Sequence, residues 1–161
     1  MSGQTATCNR EVVSMTKKKV AVMVNCVLLA WYLLSMFGVK IGDKYLVEGA
    51  FREEWIFMVV PTITLILFAV FGKAWKYINL GWLSLWFITQ FLSHEWYTLF
   101  GSGFMGDTES KITYFSDCIQ IIKIQGRYVP DLYHLILHAL IVLTIICVAI
   151  VPKHNRNDKS A

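Results

Sequence analysis

Four apolar blocks, near residues 20–39, 55–71, 77–100 and 132–151, limit what this chain can become. Each comes close to the roughly 20 apolar residues a helix needs to cross a hydrocarbon core of about 30 Å. Within that core the backbone must satisfy its own N–H and C=O groups, so blocks of this length read as helices. Together they take up half of the 161 residues, and the tails and connections between them are too short for a separate soluble domain. The expected fold is all-α, an integral membrane bundle of four transmembrane helices. Composition agrees: 56% of the residues are hydrophobic, against about 45–50% in soluble proteins.

Charge sets the orientation. With the N-terminus in the cytoplasm, that side receives Arg10, Lys17, Lys18, Lys19, Lys73, Lys76, Lys153, Arg156 and Lys159, with Glu11 and Asp158 as its acids. The other side holds the remaining bases and nearly all the acids. This is the positive-inside pattern, and it predicts both termini cytoplasmic in a multi-pass protein of the plasma or inner membrane. Residues 1–19 and 153–161 are then cytoplasmic basic tails around a membrane domain over 20–152. The net charge of +4 is accordingly read by side of the membrane and not as a nucleic-acid signal. Expected partners are the lipid bilayer and, within it, a homo- or hetero-oligomer.

The lysines before the first block also resemble the start of a secretory signal. The block is longer than a signal core of about 7–15 residues, and no small-x-small cleavage site follows, so it reads as a retained span. Met15 offers an alternative start to Met1. Of the four cysteines, Cys26 and Cys147 fall inside apolar blocks, Cys8 and Cys118 fall on opposite sides, and no CxxC occurs. A disulfide framework is therefore not expected. Pro61 predicts a kink in the second span. Asn25 and Asn79 are expected to hydrogen-bond each other between the first and third spans.

The longest connection, residues 101–131, is expected outside the cytoplasm. Its Gly101, Gly103 and Gly106 match GxGxxG, but they follow a membrane span and not a strand, so an exit turn is the better reading. Ile112, Phe115, Ile119 and Ile122 then recur at helical spacing and predict an amphipathic, extracytoplasmic helix over 108–124 that lies on the membrane or caps the bundle. The β-branched residues of 120–129 allow an extended alternative there.

Chemistry concentrates at the outer end of the third and fourth blocks. Trp82, Trp86, Gln90 and His94 share one helical stripe, and Glu95 follows directly. Asp131, His134 and His138 share a face of the fourth helix. In an antiparallel bundle His94, Glu95, His134 and His138 reach a similar depth. Ionisable groups inside a membrane default to function.

Three chemistries suit the set. His94, His134 and His138 can hold a divalent metal such as zinc, with Glu95 as a ligand or a catalytic acid/base for hydrolytic or redox work on a lipid-like substrate. Two facing histidines, for instance His94 and His138, can ligate a haem. Histidine and glutamate can instead relay protons without a cofactor, as in a transporter. Gln90, Tyr97 and Tyr133 are candidates for supporting contacts. The plain reading is that Asp131 caps its helix, the histidines serve structure, and the chain is a non-catalytic partner subunit or assembly factor. Trp31, Trp55, Trp75 and Trp96 read as an interfacial belt, while Trp82 and Trp86 read as packing residues.

Overall fold

A computed structural model describes residues 2–71 and 73–152; Met1, Gly72 and the basic tail 153–161, with His154, lie outside them. Helix α1 (Ser2–Phe37) runs for 36 residues, about 54 Å at 1.5 Å per residue. Residues 2–19 of the expected polar tail are thus helical and prolong the first span. Between Gln4 and Lys19 there is neither glycine nor proline to stop a helix that the apolar run stabilises. It ends at Gly38, whose φ of 71° is left-handed, and a Cβ there would come 2.8 Å from the Gly49 amide nitrogen. This close crossing turns the chain back on itself.

The connection between the first two apolar blocks carries a β-hairpin that the apolar pattern does not signal. Strands β1 (Val39–Ile41) and β2 (Lys44–Val47) pair antiparallel around Gly42 and Asp43, with Gly42 at φ 62°. A glycine at positive φ between short alternating runs is a two-residue hairpin signal.

Helix α2 (Phe51–Phe71) continues through Pro61. Nearby hydroxyls bond back into the helix: Thr62 donates to the Met58 carbonyl at 2.7 Å and Thr64 to that of Pro61 at 3.0 Å. The third block is not one continuous helix. It divides into α3 (Lys73–Ser93) and α4 (Glu95–Phe100), interrupted at His94 with φ −124° and ψ −69°. Gly101, at φ 80°, closes α4 and confirms the exit turn. Helix α5 (Thr108–Tyr114) and a 3-10 turn (Phe115–Asp117) follow. Helix α6 (Leu132–Ala149) completes the chain. The amphipathic helix expected to reach residue 124 therefore stops at Asp117. Beyond it Cys118 bridges Tyr45, and Ile121 and Ile122 are exposed. Sheet-like pairing to the hairpin wins over the isoleucine spacing.

Helix α1 packs on α2 and α6, α2 on α3, and α3 on α6. Among the described residues, three helical segments are long and apolar enough to cross a membrane: Val12–Phe37, Glu54–Phe71 and Leu132–Ala149. Helix α3 is as long as α2 but less apolar, and its two sides differ. Ile78, Leu85 and Ile88 are exposed, while Asn79 and Trp86 are buried, with Trp86 edge-on against Tyr32 of α1 at 4.8 Å.

At the end opposite the hairpin, lysines close helix C-termini. Lys76 donates to the carbonyls of Ala149 (2.9 Å) and Val151 (2.5 Å), and Lys18 to that of Ala69 (2.8 Å). Unsatisfied carbonyls and the negative end of the helix dipole both favour cations there. The expected Asn25–Asn79 bond does not form. Asn25 donates to its own helix at Ala21, and Asn79 donates to Thr64 on α2.

Candidate functional site

The interruption at His94 brings the histidine ring into the bundle. His94 is buried, and its ring stacks on that of His134 at 3.9 Å between centroids, 25° from parallel. His138 lies in the same layer, 6.2 Å from His94. The three membrane histidines singled out by the sequence therefore meet, and Glu95 meets them.

Each imidazole has an oxygen at Nδ1. For His94 it is the Tyr128 hydroxyl at 2.5 Å. For His134 it is the Asp131 carboxylate, with both oxygens at 2.9 Å. Asp131 also accepts the His134 backbone N–H at 2.9 Å, so it caps α6 and orients the ring at once. For His138 it is Glu95 Oε1 at 2.6 Å. That third contact does not have hydrogen-bond geometry, and it becomes an ion pair only when the ring is protonated.

The loop between α4 and α6 covers this layer. Phe115 sets its ring against His134 at 5.4 Å, Tyr128 at 5.6 Å and His94 at 5.8 Å. Lys111 reaches in from α5, donates to the Ser93 carbonyl at 2.9 Å and sits 4.7 Å from the Tyr97 ring centre. Burial holds its amine below the ordinary lysine range. The Tyr128 hydroxyl is pushed above its ordinary value, first by burial and then by the nearby Asp131 and Glu95 charges. It stays protonated at neutral pH, and the His94 tautomer decides which of the two donates.

Of the supporting residues, Tyr97 is buried and donates to the Gly106 carbonyl at 2.8 Å. Tyr133 stands edge-on to His134 at 5.2 Å and stacks on Trp31 at 5.5 Å. Gln90 keeps a buried side-chain oxygen with no hydrogen-bond partner among the described residues. Tyr128 and Lys111 were not foreseen from the sequence. They lie in the long connection, where no periodicity links them to the spans; the Tyr-Val-Pro-Asp run at 128–131, just ahead of α6, was the available signal. Glu54 joins the edge of the site. It accepts from the Tyr32 hydroxyl and stands within electrostatic reach of His134.

Among the described residues no group of three or more His, Cys, Asp or Glu side chains is arranged to hold a metal ion. The stack explains this. Imidazole lone pairs lie in the ring plane, so two rings face to face aim them side by side and not at one point. What the arrangement offers as it stands is a set of titratable groups in mutual contact. No protein-family model, curated protein or solved structure matches the chain.

Proposed function

We propose that this chain is a four-span membrane protein with both termini cytoplasmic, whose outer-leaflet cluster of His94, Glu95, Tyr128, Asp131, His134 and His138 takes up and passes on protons. The stacked pair of His94 and His134, each with its own oxygen partner, carries this reading. Two imidazolium rings at 3.9 Å repel, so the pair holds one proton at a time, exchanged at the ring edges with the flanking oxygen groups and not through the stacked faces. Four spans are supported by the apolar outward side of α3, whose low overall apolarity comes from its polar residues. The cytoplasmic termini are supported by the lysines gathered at the end away from the cluster.

A divalent metal such as zinc, held by His94, His134 and His138 with Glu95 as base, is the second reading. One observation favours it: an oxygen on each Nδ1 is how ligand imidazoles are oriented. It requires the stack to open.

Proton uptake by protein in lipid nanodiscs, stepped from about pH 8 to about pH 5, separates these readings. Wild type is expected to take up roughly one to two protons more than the triple variant His94→Gln, His134→Gln, His138→Gln. Equal uptake would overturn the proton site and leave a partner subunit. Stoichiometric zinc in the purified protein, lost in each single variant, would replace it with the metal reading.

A further inference from the structure

Eight buried side-chain nitrogen and oxygen atoms lack a hydrogen-bond partner among the described residues. They belong to Asn79, Trp82, Trp86, Gln90, Glu95 and His138. Their placement is not scattered. Positions 79, 82, 86 and 90 repeat at three and four residues and form one stripe along α3, which leads to Glu95 and, across a 2.6 Å contact, to His138. Asn79, Trp86 and His138 are all more than nine-tenths buried. Along the axis the column from 79 to 95 covers about 24 Å, most of a hydrocarbon core of about 30 Å.

No hydrogen bond joins these groups directly, since each of the atoms stands without a partner among the described residues. The two indole N–H groups of Trp82 and Trp86 only donate, and the free oxygens of Asn79, Gln90 and Glu95 only accept. Successive members four residues apart are separated by about 6 Å of rise, close to two hydrogen bonds of about 2.8 Å end to end. A mediator is needed that both donates and accepts, is small, and recurs at each step. Water meets all three requirements, and buried water characteristically serves otherwise unsatisfied polar groups. Unpaired polar atoms are costly in hydrocarbon, so a row of them selects for such a file.

We propose that the inner stripe of α3 is a water-binding path that joins the Glu95–His138 end of the cluster to the Asn79 level near the opposite end of the bundle. Its use as a proton path rests on the proton-site reading above; its hydration does not.

Hydrogen–deuterium exchange of indole N–H groups, followed with ¹⁵N-tryptophan in lipid nanodiscs, tests it. The Trp86 N–H should exchange at least about tenfold faster than the backbone amide of Ile141, a fully buried residue of the hydrophobic core on α6. Gln90→Leu should slow Trp86 exchange toward that of Ile141. A Trp86 N–H as protected in wild type as the Ile141 amide overturns the water path, as does a co-purifying organic molecule whose removal alone exposes Trp86. A dry stripe with intact histidine proton uptake removes the path and leaves the site. A wet stripe without that uptake does the reverse.

Discussion

The rings of His94 and His134 lie face to face at 3.9 Å, although one sits at a helix interruption and the other in the first turn of α6. Their partners differ in charge: a phenol for His94 and a carboxylate for His134.

Tyr128→Phe removes the hydroxyl at His94 Nδ1 and leaves a buried ring nitrogen unpaired. The expected loss is about 1–3 kcal/mol. It should appear as a lower thermal midpoint and as faster hydrogen exchange in residues 108–117, because Phe115 rests on the Tyr128 ring. An unchanged midpoint would mean that the bond contributes nothing.

Asp131 has two separable tasks. Asp131→Asn keeps a good helix cap and loses the charge facing His134, whereas Asp131→Ala loses both. The cap alone is worth about 0.5–2 kcal/mol. Unfolding measurements should rank wild type above Asn and Asn above Ala, with proton uptake altered already in Asn. Equal uptake in wild type and Asn would detach the carboxylate from the site.

Helix α5 should loosen in acid. The Asp107 carboxyl is held below its ordinary 3.8 by the Ser110 backbone N–H, which it accepts at 2.8 Å. A depressed acid contributes stability that is present above the unfolded value and is lost as pH falls through the folded one. The Lys111 amide should thus exchange faster below about pH 4 in wild type, and Asp107→Asn should abolish that dependence. A pH-independent wild type would contradict the cap.

Cys118 should resist thiol reagents at neutral pH. It is buried, and burial, followed by the charges of Asp131, Glu48 and Asp117, pushes its thiol up to about 12. Orientation is better read from exposed positions. In a cysteine-free background an impermeant maleimide should label Lys123→Cys from outside intact cells and spare Met15→Cys. The opposite pattern would place the cluster at the inner leaflet.

The three helices long and apolar enough to span a membrane, and the meeting of His94, Glu95, His134 and His138, were legible because apolar length and helical rise can be read from the sequence. What escaped depends on contacts that no period encodes. The His94 interruption coincides with the contact of its ring to Tyr128, 34 residues further along the chain. The 39–47 hairpin had a local signal in Gly42 and Asp43, overshadowed by its setting between two spans. Ile119 and Ile122 had helical spacing, but the Ile119 amide bonds the Tyr45 carbonyl at 2.8 Å and the chain leaves the helix before them. The metal expectation read three histidines by proximity; ring orientation, which decides whether lone pairs converge, is not written in their spacing.

Coupling within the stack is the central claim, and ring ¹⁵N spectra of His94 across pH, in wild type and in His134→Gln, test it most directly. Shared protonation predicts that His94 titrates in wild type over a wider range than a single site, in step with His134, and that His134→Gln collapses this to a simple one-site curve. Superimposable His94 curves in the two proteins would contradict a shared proton and with it the proton-site account.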